Sequence, residues 1–317
     1  MVDLKLVFIF TIIPFLVCEQ IPIPDISKYP PGFLKNGQRG GLGLFSNWTE
    51  KAVGRAKGFS SLSEKYPSSF NKNGHRALGI PALKGEVPFQ VLLKQDGYFI
   101  CGGTLISNRF VLTAAHCVVD EDFSEFSIVA GELNRNGHDG TEIKLEVKRV
   151  ILHPDYFRYK KGQVRDDIAL LELEKPAHAN GFVQIASLPE SETTSGNVKA
   201  AGWGRTTGNV YSDKLLIAHL KIVPRSECRK VNDKITSKKI CAISKGKELH
   251  GICHGDSGGG LIKKDHAGNH IVIGVASYVR LVRGNYGEYP CDLTKPQVFT
   301  NVMPYVPWIK NHLNGLI

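Results

Sequence analysis

Four things are scarce in this chain of 317 residues. After residue 18 no run is apolar and long enough to cross a bilayer, so no helical membrane span is expected there. Nucleic-acid-binding motifs are missing, and the net charge of +10 is diffuse. Residues 1–76 hold ten Lys/Arg against five Asp/Glu, and the remainder holds thirty against twenty-five. A mild, scattered excess of this kind reads as a solvated surface rather than a nucleic-acid site. Residues 19–76 contain no cysteine, which excludes a disulfide-knotted accessory domain. Helical periodicity is confined to the end, where Tyr305, Val306, Trp308, Ile309 and Leu313 recur at helical spacing before Gly315.

What is present divides the chain in three. Residues 4–18 form an apolar run, preceded by Met1-Val2-Asp3, that carries Lys5 near its start and stops before Glu19-Gln20. It is too short for a comfortable membrane span and reads as a signal peptide over 1–18, which implies a secreted, extracellular protein. Removing it takes Cys18 away and leaves six of seven cysteines, an even number that suits an exported disulfide protein. Residues 19–76 hold Pro22, Pro24, Pro30 and Pro31, many Gly and Ser, and little periodicity. The expectation is a flexible segment that cannot bury enough apolar area to fold. Within it, Asn47-Trp48-Thr49 is an N-glycosylation sequon at Asn47.

From Ala82 the texture changes to short strand-like runs. Val87–Leu93 and Phe99–Ile106 flank an Asp96-Gly97 turn. Phe126–Val129, Ile143–Leu152, Ile168–Leu173, Leu215–Ile222 and His270–Ala276 follow. Many short strands and one terminal helix predict an all-β protein.

Three strings carry the chemistry. Thr113-Ala114-Ala115-His116-Cys117 supplies an imidazole, and Asp167-Ile168-Ala169-Leu170-Leu171 a carboxylate heading an apolar run. Gly255-Asp256-Ser257-Gly258-Gly259 supplies a hydroxyl among glycines. A serine hydroxyl is a weak nucleophile until a base takes its proton. An imidazole can do this when a buried carboxylate fixes its tautomer and stabilises the imidazolium. Taken singly, each string has a plainer reading: His116 as a core histidine, Asp167 as a turn residue, Ser257 as part of a glycine turn.

In their order and local contexts the strings resemble the trypsin/chymotrypsin family, over about Ala82 to Ile309. The resemblance implies two six-stranded antiparallel β-barrels with a C-terminal helix, spanning residues 77–317 after a pro-segment at 19–76. It implies a serine endopeptidase made as a zymogen, with His116, Asp167 and Ser257 as the triad and the N–H groups of Gly255 and Ser257 as the oxyanion hole. Catalysis would require no cofactor. Partners would be a protein or peptide substrate, an activating protease and protein inhibitors, and the enzyme would be a monomer. The implied disulfides are Cys101–Cys117, Cys228–Cys241 and Cys253–Cys291, which leave no His/Cys cluster for zinc. Asp256 would pair with the ammonium created by cleavage between Arg76 and Ala77. The family's basic residue followed by Ile-Val-Gly-Gly is replaced here by His75-Arg76-Ala77-Leu78-Gly79-Ile80, one residue short of the usual count.

The same resemblance puts the base of the substrate pocket at Gly251, with Ile252 beside it. Ser277 and Val279 would form the opposite wall, and Gln297 stands where glycine normally leaves space. The pocket implied is shallow and mostly apolar, like that of elastase-like members, and suits small aliphatic side chains. The insertion Arg280–Pro290 is the feature that could rebuild this wall. Glu132-Leu-Asn134-Arg-Asn-Gly137-His-Asp139-Gly-Thr-Glu142 resembles the family's calcium loop. Glu132 and Glu142 would offer carboxylates, and Asn134 and Gly137 backbone carbonyls; a solvated polar hairpin is the alternative.

Two other functions compete with the peptidase. A binding protein could keep this fold without maturing, a reading prompted by the Arg76-Ala77 junction. An esterase or lipase could use the same triad, but α/β-hydrolases run Ser, Asp/Glu, His along the chain, not His, Asp, Ser.

Overall fold

The computed structural model describes residues 79–119, 125–159, 163–206, 210–282 and 291–315. The expected signal peptide and pro-segment, the Asn47 sequon and the Arg76–Ala77 bond lie outside the described residues, as do residues 283–290 of the insertion.

The chain enters on a short strand, β1 (Ile80–Pro81), then builds a closed barrel from β2 (Gln90–Gln95), β3 (Tyr98–Leu105), β4 (Phe110–Thr113), β5 (Phe126–Ala130), β6 (Ile143–Leu152) and, after the small pair β7 (Phe157–Arg158) and β8 (Val164–Arg165), β9 (Ala169–Leu173). Its order is β2-β3-β4-β9-β6-β5, all antiparallel. Asp96 and Gly97 join β2 to β3 with φ of 50° and 79°, the backbone that a two-residue hairpin matched to strand twist requires. In β6 the buried Leu145 and Val147 alternate with exposed Lys144, Glu146 and Lys148, the period of a half-buried strand.

A second barrel uses β10 (Asn197–Gly202), β11 (Leu216–Val223), β12 (Lys239–Ser244), β13 (Gly260–Lys264), β14 (His270–Tyr278) and β15 (Gln297–Asn301). β11 pairs with both β10 and β12, which closes the ring, and β1 pairs with Leu216 and Ile217 at the start of β11, which β12 does not reach. The apolar core of the first barrel runs on into Ala201, Trp203, Ile217, Val272 and Val275 of the second half. Val306 and Ile309 of the terminal helix α2 (Val306–Leu313) join the same cluster, and a smaller cluster fills the second barrel.

The all-β class, the two barrels and the C-terminal helix agree with the sequence reading. Five barrel strands lay outside the runs picked out there, β4, β10, β12, β13 and β15, as did the two-residue strands β1, β7 and β8. So did the five-residue helix α1 (Arg225–Arg229). The reasons are local. β15 contains Gln297, Thr300 and Asn301, yet all five of its residues are buried. β13 opens on glycine and ends on two lysines. Neither pattern alternates.

Candidate active site

Strand register brings the first two groups together. Thr113 of β4 pairs with Ala169 of β9, so His116, three residues past Thr113, meets Asp167, two residues before Ala169. His116 sits in a single 3-10 turn, Ala115–Cys117, whose end is tied to β3 by the Cys101–Cys117 disulfide. The His116 Nδ1 to Asp167 Oδ2 distance is 2.8 Å, and the His116 backbone N–H donates to Asp167 Oδ1 at 2.9 Å. One carboxylate thus holds His116 at two points, ring and backbone, which fixes the imidazole's orientation.

Asp167 is fully buried and takes two further hydrogen bonds from the second barrel. The Ser277 hydroxyl donates to Oδ2 at 2.6 Å, and the Thr300 hydroxyl to the backbone carbonyl at 2.9 Å. Burial pushes the Asp167 carboxyl's pKa up. The hydrogen bond and charge of His116, the charge of Lys239 and the Ser277 bond more than offset this and hold it below the usual carboxylate value. Its neighbour Asp166 has a left-handed backbone, φ 47°, and is also buried. Lys238 and the Tyr305 hydroxyl donate to its Oδ1 at 2.5 and 2.7 Å. The turn there is anchored as well as tight, which its single letter did not reveal.

Ser257 lies in the loop between β12 and β13, held by backbone bonds from Gly102 N–H to the Ser257 carbonyl at 2.8 Å and from Gly258 N–H to the Ala276 carbonyl at 2.9 Å. Ser257 and His116 line one cavity of about 250 Å3 without a direct hydrogen bond between them, a looseness common before substrate binds. Among the described residues neither the Gly255 nor the Ser257 amide donates to a backbone acceptor. Gly255 has φ 94°, a left-handed conformation that turns the chain here at no steric cost. Both amides are thus without a backbone acceptor, as donors to a developing oxyanion would have to be.

Asp256 is buried beside them. Its Oδ1 accepts from Gly204 N–H and its Oδ2 from Cys253 N–H, each at 2.8 Å. Gly202 and Gly204 leave room for it: a β-carbon there would stand 2.1 and 2.3 Å from its oxygens. Burial pushes its pKa up to about 6, and the two amide bonds only moderate this. No ion pair to Asp256 exists among the described residues.

The cavity beside Ser257 is also lined by Ile252, Cys253, His254, Tyr278, Val279 and Leu281, with Ser277 among them. Gly251 and Gln297 do not line it, contrary to the expected pocket. Gln297 is fully buried; its Oε1 accepts from Ile252 N–H at 2.8 Å and its Nε2 donates to the His250 carbonyl at 3.3 Å. Its amide packs so closely on Gly251 that a β-carbon there would be 2.3 Å from Nε2. The space below Ile252 is therefore filled by protein. His254 and Leu281 were not picked from sequence, because nothing local marks a residue as facing a cavity.

Disulfides join Cys228 to Cys241 and Cys253 to Cys291. The first ties α1 to β12, and the second ties the serine loop to the far side of the insertion. With Cys101 and Cys117 also paired, their sulfurs beside His116 are not free to ligate a metal.

In the 132–142 loop the carboxylates of Glu132, Asp139 and Glu142 lie within 4.8 Å of one another. Burial first, then repulsion by Glu142 and Asp139, push the Glu132 carboxyl up to about 7. Asp139 Oδ2 accepts from Asn134 N–H at 2.8 Å, and the Asp139 N–H donates to Glu142. The Asn134 carbonyl, an expected ligand, is instead engaged by Gly137 N–H at 2.7 Å in the turn. Asp139 stands in the quoted string, and its acidity was the available signal. The donor set, three converging carboxylate oxygens whose charges oppose one another, fits a calcium ion.

The Trypsin family profile matches residues 78–309, so the chain belongs to the trypsin family of serine-type endopeptidases, hydrolases of proteins and peptides. It is 35% identical over 247 residues to chymotrypsin-like elastase family member 1 of Felis catus, covering 74% of this chain and 87% of that protein. Trypsin I-P1 of Gallus gallus is 31% identical over 264 residues, 81% of this chain and 96% of the relative. The CLIP domain-containing serine protease HP8 of Bombyx mori is 35% identical over 263 residues, 74% and 68% of the two chains.

Proposed function

We propose that this chain is the precursor of a secreted serine endopeptidase in which Ser257, His116 and Asp167 form the triad. The observation that carries this is the buried Asp167 carboxylate 2.8 Å from the imidazole of His116, with the Ser257 hydroxyl on the same cavity wall. In this reading Ser257 Oγ attacks the scissile carbonyl as His116 takes its proton. The Gly255 and Ser257 N–H groups bind the oxyanion. The imidazolium, stabilised by Asp167, then protonates the leaving amine, and water repeats the sequence on the acyl-enzyme.

Asp256 supports activation by cleavage. A buried carboxylate with only amide partners is matched best by a cation, and the ammonium freed at Ala77 after cutting at Arg76 is the one this reading supplies. The signal peptide, export, glycosylation at Asn47, the external activating protease, protein inhibitors and a monomeric state complete the reading. Glu132, Asp139 and Glu142 would hold a calcium ion, which would neutralise their mutual repulsion and stiffen the loop; it takes no part in bond cleavage.

For specificity, the filled floor under Ile252 and the side chain of Val279 favour a small aliphatic residue before the scissile bond. Among the described residues no acidic side chain lines the cavity, so a substrate Lys or Arg would enter as an unpaired cation.

The test is labelling by a fluorophosphonate before and after cleavage near Arg76, with N-terminal sequencing of the product. Labelling at Ser257 that rises on cleavage, with Ala77 at the new terminus, supports the reading. A protein that stays unlabelled after cleavage is a binding protein on a peptidase fold.

A further inference from the structure

Three neighbouring strands of the second barrel place a lysine behind the aspartate. β12, β15 and β14 lie side by side, and Lys239 on β12 pairs with Thr300 on β15. Its side chain crosses Thr300 toward Ser277 on β14. The Lys239 Nζ lies 3.1 Å from the Thr300 hydroxyl and 3.2 Å from the Ser277 hydroxyl. It also lies 5.7 Å from the centre of the Tyr278 ring, a contact that suits a cation. The stem is partly exposed, but the amine end is withdrawn into the protein, and burial holds its pKa below the usual lysine value, a shift that Asp167 and Asp166 offset only in part.

Donor arithmetic then fixes the hydrogens. An ammonium only donates, so Ser277 and Thr300 must accept from Lys239. Each hydroxyl has one proton, and each uses it on Asp167, on Oδ2 and on the carbonyl respectively. The ammonium therefore sits one hydroxyl away from the carboxylate, about 6 Å at most, a range in which charges still shift protonation equilibria.

We propose that Lys239 is a positioning residue of the catalytic apparatus: a buried cation that aims two hydroxyl protons at Asp167 and sets the pH above which His116 serves as base. The proposal rests on the triad reading above. The cation acts against the imidazolium in two ways. It repels the positive charge directly, and it draws on the same carboxylate that would stabilise it. Enzyme with Lys239 should thus keep its imidazole neutral to lower pH than enzyme without it.

Other charges around this line are accounted for. On Lys239's own strand edge, Lys238 is paired with Asp166, which also accepts from Tyr305 and faces His153. On the β14 side the Tyr278 hydroxyl accepts from Asn232 at 2.9 Å. Across the cavity the titratable neighbour of His116 is His254. None of these contacts the Ser277 or Thr300 hydroxyl.

The experiment is the pH dependence of kcat/KM for matured wild type and for Lys239→Met, Lys239→Gln and Lys239→Arg. Gln keeps a donor and loses the charge, whereas Arg keeps the charge. The acid limb should move up by about one pH unit in both neutral variants. This makes the loss about tenfold near pH 6 and slight near pH 9, while Arg leaves the limb in place. Neutral variants that lose the same factor at every pH, with an unmoved limb, overturn the proposal and leave Lys239 a packing residue. NMR titration of the His116 ring in Ser257→Ala protein reads the same shift without turnover, so it stands or falls separately from the peptidase reading. If the neutral variants do not fold, nitrogen-detected NMR of the wild-type lysines decides: a Lys239 amine already neutral at pH 7 overturns the proposal.

Discussion

Asp167 and Asp256 are both buried carboxylates of one site, and protein surroundings move them in opposite directions. The Asp167 carboxylate sees an imidazole, a lysine and the Ser277 hydroxyl, and its charge is favoured. Asp256 sees two backbone amides, and its charge is disfavoured up to about pH 6. Burial is similar in the two places, so burial does not decide. Two neutral amides fail to offset desolvation; a nearby positive charge succeeds. In the proposed enzyme one carboxylate is ready and the other waits for a partner that proteolysis creates.

The largest effect should come from breaking the satisfied member. Asp167→Asn in the matured enzyme should lower kcat by about 10^4, because the amide can stabilise the wrong tautomer and leaves the imidazolium uncompensated. Ser257→Ala should lose at least as much with an unchanged melting temperature. Near-normal turnover in either variant contradicts the triad.

The unsatisfied member should show itself in stability. A carboxyl whose folded pKa lies above its unfolded value contributes stability below about pH 4, and that contribution disappears as pH rises through about 6. The precursor should therefore lose about 3 kcal/mol across that window from Asp256 alone. Asp256→Asn precursor should lack the slope. In wild type after cleavage at Arg76, the new ammonium should abolish or reverse it. Denaturant melts at several pH values check this, and identical slopes before and after cleavage would break the contrast.

The Glu132 cluster sharpens the comparison, since Glu132 too is a carboxyl whose charge its surroundings disfavour. Without calcium its stabilising protonated form is lost as pH rises through about 7. Calcium at one hundred times its dissociation constant should restore about 2.7 kcal/mol by mass action. Glu142→Gln should reduce that gain. A melting temperature indifferent to calcium would leave the loop as an ordinary hairpin.

The smallest effect should be in substrate choice. Ala or Val before the scissile bond should be preferred over Phe by about 1–3 kcal/mol in kcat/KM, the scale on which apolar pockets discriminate. Gln297→Gly should narrow or reverse that preference by emptying the space beside Gly251. A strong preference for Arg or Phe in wild type would mean that residues 280–290 rebuild the wall.

Some of this was readable from letters alone. The Asp96-Gly97 hairpin and the alternation of β6 follow from period and turn chemistry, and they needed nothing distant. β15 did not, because Gln297, Thr300 and Asn301 are buried by partners far away in sequence, which no local pattern encodes. In the site, His116, Asp167 and Ser257 stood out by their neighbours. Lys239 did not, since a lysine opening a strand looks like any solvated edge residue until Ser277 and Thr300 are seen beside it. The same holds for Gln297, whose polar letter hides a side chain that fills space. Asp139 could have been found, as a third acid in a loop already under suspicion.

Asp167 also joins the two halves of the molecule. It leaves the first barrel at the head of β9, yet Ser277 and Thr300 of the second barrel hold its oxygens. Asp167 is thus a clasp across the seam, its carboxylate held by Ser277 and its backbone carbonyl by Thr300, and it aligns only when both barrels are in register. A small sliding of one half against the other would undo His116's orientation while leaving every strand ladder intact. Loss of turnover on warming or in mild denaturant should come before loss of sheet signal, which makes activity a finer gauge of barrel docking than any spectrum of the backbone.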